Sequence, residues 1–399
     1  MLIKDAMRPN RLLLLIFFMQ CLGYFLYVTG VIKSYRVAFV STNIFGYGCI
    51  IVYYSVGFLI MILSEKIKNK VVDIYCTRKK KVEKLAMMYM LIAFVGFLNL
   101  TANLIHNHSI GQLVYMILRN QHIGELVYGH GNTTLCNFLI VSLMLITLIV
   151  DRNDKKTIAL WLMNFVFLIV YASFLSSRIL IIQGTLFSIV ILVRRFFYRK
   201  KIDFSMIIIV VVMAVFLIIT SGFRDYDQMG YVYTDSKFKW GISRIEDYLI
   251  STVNTSLEID SFTSGKPSTF PENTLQLLSR FLNKKEKRSG ESNYDWREKV
   301  SAVEYTNIGA FAQIYSDWRG LFVIPVLVMS FLCLKAWSLF DRGWLSGYML
   351  WPIFFYNVLE MWRINYLGTT MAEMLLIICG VTCVICSKDF VYVRENSRQ

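Results

Sequence analysis

Ten long apolar runs constrain this chain more than any other feature. A bilayer's hydrocarbon core is about 30 Å thick, and a helix needs roughly 20 mostly apolar residues to cross it. Such runs lie near 12–32, 45–64, 85–105, 135–150, 157–174, 179–193, 204–221, 321–340, 345–362 and 367–386. Composition points the same way. Of 399 residues, 56% are hydrophobic and 17% charged, against about 45–50% and about 25% in soluble domains. A disordered chain, a disulfide-rich miniprotein and an ordinary cytosolic enzyme are excluded. The expected fold is an all-α polytopic membrane protein with about ten transmembrane helices. Lys4, Arg8 and Arg11 precede the first run, but no small-residue cleavage site follows it, so it reads as a retained helix.

The distribution of charge sets the orientation. The formal net charge is +15, from 42 Lys and Arg against 27 Asp and Glu. With the N-terminus in the cytoplasm, 24 of the 42 basic residues fall in inside segments and 6 in short outside segments. The other 12 lie in one long segment, and long segments cross largely regardless of charge. Ten spans then place both termini in the cytoplasm. The inside segments carry a net +14 and the outside +1. The basic excess therefore anchors the chain to anionic headgroups, and no nucleic-acid partner is expected.

The expected blocks are 1–221 with seven spans, 222–318 as a large external loop forming a lid, and 319–399 with three spans and a short cytoplasmic tail. In the loop, Ile242, Ile245, Leu249, Val253 and Leu257 recur at helical steps, which predicts an amphipathic helix. Leu275, Leu277, Leu278 and Leu282 predict a second, short one. Pro267 and Pro271 punctuate between them.

Polar residues inside the spans cluster toward the outer ends. Asn99 and Asn103 share one helix face, Glu360 and Arg363 stand three apart, and Thr369, Thr370 and Glu373 open the last span. Asn164 lies nearer the inner side. Charge at mid-bilayer costs at least about 2.5–3.5 kcal/mol, so such groups face a partner or a cavity. Glu360 and Arg363 fit either a helix-gluing pair or a wet cavity open to the outer face. Arg178 follows Ser176-Ser177 at a tight outer turn, 16 residues before Arg194. That is about 24 Å of helix, short of the hydrocarbon thickness, so Arg178 falls below the outer surface. A buried guanidinium needs an anion: a phosphate, which arginine binds bidentately, or a carboxylate such as Glu373.

Other chemistry is sparse. Seven of the eight cysteines lie in or beside a span, and Cys383-x-x-Cys386 has no second pair to complete a metal site. His106, His108, His122 and His130 share one outer loop with Glu125 as its only carboxylate, and no metal is expected. Three Asn-x-Ser/Thr triplets, at Asn107, Asn132 and Asn254, are common by chance. The chain has no Walker loop, no G-x-G-x-x-G and no H-E-x-x-H. Any reaction is expected at the outer face, without ATP and without a cofactor.

Three stretches carry a family resemblance: Ser176-Ser177-Arg178 with the basic stop Arg194-Arg195, then Ser221-Gly222-Phe223-Arg224, and finally Thr306-Asn307-Ile308-Gly309 through Tyr315-Ser316-Asp317-Trp318-Arg319-Gly320. With the overall layout, they make the chain resemble the Wzy-type O-antigen and capsule polymerases, the oligosaccharide repeat unit polymerases. The family's usual Tyr-x-Asp-Phe-Gly is changed here, where Trp318-Arg319 replaces Phe-Gly. The resemblance implies a multi-pass glycosyltransferase of the bacterial inner (plasma) membrane. Its substrate would be an undecaprenyl-pyrophosphate-linked oligosaccharide, polymerised without metal into surface polysaccharide. Its partners would be membrane lipids, a chain-length regulator and a flippase. In that reading Arg178 and Arg224 meet the pyrophosphate, with Arg244, Arg280 and Arg297 behind them. Glu304 or Asp317 acts as the base for the acceptor hydroxyl, backed by Glu258 or Asp260. Thr306 and Asn307 orient the sugar, and Arg363 and Glu373 line the outer cavity. Tyr231, Tyr233, Trp240, Tyr248, Trp296 and Tyr305 suit either sugar stacking or lid packing. An O-antigen ligase and a lipid-linked oligosaccharide flippase are the competing readings.

Overall fold

A computed structural model describes residues 3–32, 40–62, 72–109, 111–112, 132–151, 153–175, 178–197, 226, 230, 232, 234–265, 267–282 and 309–394. Helices dominate them. In chain order they are α1 (Ile3–Ala6), α2 (Pro9–Val28), α3 (Ile44–Ile62), α4 (Lys79–Asn107), α5 (Asn132–Ile149), α6 (Lys155–Phe174), α7 (Arg178–Leu192), α8 (Lys237–Thr263), α9 (Gln276–Leu282), α10 (Ala310–Trp318), α11 (Val323–Arg342), α12 (Leu345–Glu360) and α13 (Thr370–Cys386). Two short strands, β1 (Val72–Cys76) and β2 (Phe390–Arg394), pair antiparallel with Cys76 opposite Phe390.

Among the described residues six helices are long and apolar enough to cross a membrane: Pro9–Val28, Ile44–Ile62, Lys79–His106, Lys155–Phe174, Ile179–Phe197 and Val323–Arg342. Thr134–Ile149 and Thr370–Cys386 are shorter apolar helices, and α12 has 16 residues. The expected run at 204–221 lies outside the described residues. Two expectations for the long segment meet helices, at α8 and at α9. The face of α8 differs from the expected one. Of its apolar stripe only Leu257 is fully buried, while Ser243, Asp247, Ser251 and Thr255 form a buried ladder at four-residue steps. Small hydroxyl side chains let helix backbones approach closely, which a stripe of leucines cannot.

The chain forms two compact units: 1–66, 200–334 and 357–370 in one, and 67–199, 335–356 and 371–399 in the other. In the second unit the helix ends are closed by charge. Asp154 caps α6, accepting from Lys156 N at 3.0 Å and Thr157 N at 3.3 Å, and also takes Lys79 Nζ at 2.5 Å. These contacts hold its carboxyl below the ordinary aspartate range, the Lys79 bond first. Arg194 is buried and donates to the carbonyls of Phe340 (3.0 Å) and Asp341 (3.2 Å) at the end of α11. Arg195 does the same for Thr147 (2.9 Å) and Val150 (3.0 Å) at the end of α5. Helix C-terminal carbonyls lack partners within the helix and carry partial negative charge, so guanidinium groups settle there. Asp389, fully buried, takes Lys81 at 2.8 Å and Arg78 at 3.8 Å beside the β1–β2 pair. Asn164 is satisfied inside the bundle: its Nδ2 donates to Leu160 O at 2.8 Å, and its Oδ1 accepts from Ser142 at 2.6 Å.

Candidate functional site

In the first unit α8 packs on α2 and α3 near the ends that residues 29–43 connect. Tyr24 donates to Asn254 Oδ1 at 2.9 Å, and Ser41 donates to Glu258 at 2.5 Å. A Cβ on Gly46 would lie 2.0 Å from the Leu257 carbonyl, so α3 meets α8 at a spot only glycine allows. On α8, Arg244 stacks over Trp240, 5.9 Å from the ring, and Trp240 is completely buried.

The long segment returns through Gly309 and α10. Gly309 has φ +87°, and a Cβ there would meet Ser256 Oγ at 2.8 Å and the Thr252 carbonyl at 3.1 Å. Both the backbone conformation and the close approach to α8 require glycine. Its N–H donates to the Arg363 carbonyl at 3.1 Å. From this start α10 is buried from Ala310 to Asp317.

Asp317 is the centre of the site. Its carboxylate accepts from Thr269 Oγ1 (2.6 Å), Asn273 N (3.0 Å), Asn273 Nδ2 (2.8 Å), Thr274 N (2.8 Å) and Thr274 Oγ1 (2.8 Å). Ser268 also donates to its main-chain carbonyl. A carboxylate with two oxygens has about four lone-pair sites, so five donors occupy it fully. Two residues earlier on the helix, Tyr315 points elsewhere and donates to Asp260 Oδ1 of α8 at 2.5 Å. Burial, then the bond to Asp260, holds the Tyr315 hydroxyl above its ordinary range, so it stays protonated and donating. One residue grips the turn before α9 and the other grips α8.

Arg319 follows with φ 51° and ψ −132°, a conformation that turns normally assign to glycine. This is the position where the resemblance expects glycine, and the backbone keeps the glycine geometry. The guanidinium compensates in part, with Nη2 donating to the Pro267 carbonyl at 2.9 Å. Burial pulls its pKa below the ordinary arginine range, while Tyr315, Asp260 and Asp317 act in the opposite sense.

Of the residues the sequence singles out, three meet α10 at separate points: the Arg363 main-chain carbonyl at its start, Asp260 through Tyr315, and Asp317 near its end. Arg363 pairs with Glu360, Nε to Oε2 at 2.7 Å, within one segment at the end of α12. Arg244 lies on α8, and Arg280 is exposed at the end of α9. Arg178 opens α7 and Glu373 lies in the first turn of α13, both in the second unit. Arg224, Arg297, Glu304, Thr306, Asn307 and the side chain of Arg178 lie outside the described residues.

Asp247 and Gln183 are among the buried polar residues that the sequence does not single out. Asp247 belongs to the ladder on α8 and is completely buried. Gln183, five residues into α7 from Arg178, is completely buried, and neither end of its carboxamide has a hydrogen-bond partner among the described residues. The signal for the first was the four-residue spacing of Ser243, Asp247, Ser251 and Thr255. For the second it was an amide within an apolar run. Among the described residues no group of three or more His, Cys, Asp or Glu side chains is placed to hold a metal ion. Compared with known proteins, the chain matches no protein-family model, no curated protein and no solved structure.

Proposed function

We propose that this chain polymerises undecaprenyl-pyrophosphate-linked oligosaccharide repeat units at the outer face of the bacterial inner membrane. The observation that carries the reading is the ordered return of the long segment through α10. Gly309, Tyr315 and Asp317, all in the stretch that bears the resemblance, each make a specific contact there, and Arg319 keeps a glycine conformation where the family pattern has glycine. This supports a built cap over the spans α2 and α3, the arrangement a membrane-face glycosyltransferase needs.

The acceptor sugar hydroxyl attacks the anomeric carbon of the donor chain. Its proton passes to a carboxylate, for which Glu304 is the candidate. The bond from the anomeric carbon to the phosphate oxygen breaks, and lipid pyrophosphate departs. Arg178 and Arg224 stabilise the charge that develops on that leaving group. Asp317, with its lone pairs filled by the 269–274 turn, serves as a positioning residue in this scheme rather than as the base.

The test is a reconstituted reaction with purified protein and a lipid-pyrophosphate repeat unit. Ladders formed with the lipid-linked unit as sole acceptor support the polymerase. Activity only with a lipid A core acceptor supports the ligase, and protein-dependent movement of labelled lipid across vesicles without product supports the flippase. Arg178→Ala should abolish chain growth while the protein still reaches the membrane, and Arg178→Lys should rescue poorly. Full ladders from Arg178→Ala would overturn the leaving-group assignment.

A further inference from the structure

A cavity of about 230 Å³ lies in the first unit between α2, α3, α8 and α10. Its inner wall is closed: Tyr53 is 2% exposed, Leu257 0% and Phe311 4%. The opposite wall carries Cys21, Tyr47 and Ile51, all exposed, Ile51 at 58%. Cys21 stands on α2 with Phe18, Leu22 and Phe25, and Tyr47 and Ile51 stand on α3 with Val52 and Leu59, large apolar side chains turned outward. The cavity therefore opens sideways, on the flank of α2 and α3 that bilayer hydrocarbon covers.

The walls leave little for water. Gln20 donates to the Trp362 carbonyl at 3.2 Å and accepts from Tyr54. The Tyr24 hydroxyl is used by Asn254. On the inner wall the Tyr53 hydroxyl has no partner among the described residues, and a water needs two to four partners to settle. An apolar cavity of about 150 Å³ stays dry and accepts benzene, so 230 Å³ takes about nine carbons at the same ratio. That is below the roughly 300–1,000 Å³ of sites for whole small molecules, which fits a segment of a longer chain. Gln20 to Tyr24 stand four to eight residues before the end of α2, about 6–12 Å of helix. At that depth a bilayer lipid presents the upper part of its chain, and such chains are the surrounding solvent.

We propose that this cavity is a seat for one acyl chain of a bilayer phospholipid, entering sideways between α2 and α3 and reaching the inner wall made by α8 and α10. The proposal holds whatever reaction the protein carries out. The whole chain is reconstituted in nanodiscs of phosphatidylcholine bearing a diazirine in one acyl chain, irradiated, digested and mapped by mass spectrometry. Adducts on Leu257 and Phe311 are expected, since lipid that merely surrounds the spans cannot reach them. Ile50→Trp, which fills the cavity, should lower those adducts about tenfold and leave those on Phe18 and Leu22 unchanged. Val253→Phe, filling it from α8, should do the same. Adducts confined to Phe18, Leu22, Phe25 and Ile51 in the unsubstituted protein overturn the proposal. So does loss of the inner adducts on adding a small mole fraction of polyprenyl phosphate, where the same amount of unlabelled phosphatidylcholine has no effect. That result would make the seat one for an isoprenoid chain.

Discussion

One buried-charge arrangement in each unit works in the opposite way to the other. In the second, cations close helix ends: Arg194 and Arg195 each donate to two carbonyls of a neighbouring helix. In the first, an anion gathers a turn: Asp317 holds residues 269–274 through neutral donors. The first arrangement is repairable, because a helix end freed of its arginine can turn to water or to a lysine. The second is brittle, because five donors converge on a single buried group. A carboxylate accepting this many bonds is costly to replace, since every donor left behind is buried without an acceptor.

Removing each centre sharpens that contrast. The largest effect is expected for Asp317→Ala, with a loss of about 3 kcal/mol or more in stability and protease sensitivity appearing between 267 and 282. Thermal unfolding in detergent, followed by mapping of cleavage sites, measures both. A loss below about 1 kcal/mol would show that the turn has other supports. Arg194→Ala should cost less, about 2 kcal/mol, the scale of hydrogen bonds from a charged donor. Its damage should be confined to faster amide exchange at the end of α11. If cleavage instead spreads through the second unit, the helix-end account is wrong.

The smallest effect is the most diagnostic. Arg319→Ala and Arg319→Gly both remove the bond to Pro267, but only glycine relieves the positive φ. The glycine variant should therefore be the more stable of the two by about 1 kcal/mol. Equal stability would mean that the backbone strain at Arg319 is released some other way.

The same contrast explains what could be read in the sequence. The apolar runs announce their helices because length and hydropathy are local; Arg194 and Arg195 read only as the basic stop of their own span, because the helix ends they cap lie 45 to 147 residues away. The period of α8 is also local, and it was legible. Which face turns inward was not: Ile242, Ile245, Leu249 and Val253 are only half-buried, and the ladder of Ser243, Asp247, Ser251 and Thr255 took the buried place. The role of Asp317 was hidden for another reason. Its partners stand 43 to 48 residues earlier, and nothing in either stretch names the other. A carboxylate in a stretch that only resembles a family motif reads as a candidate base as long as its bonds are not visible.

The geometry around α10 also amounts to a search key. A chain that closes its cap this way needs a glycine to start the helix against its neighbour. It needs an aromatic hydroxyl six residues later and a carboxylate two after that. Two further on it needs glycine, or a residue held in glycine's conformation. Here these are Gly309, Tyr315, Asp317 and Arg319. Because each spacing answers to a specific contact, the pattern can identify distant chains that share the cap even where the rest of their sequences have diverged beyond comparison.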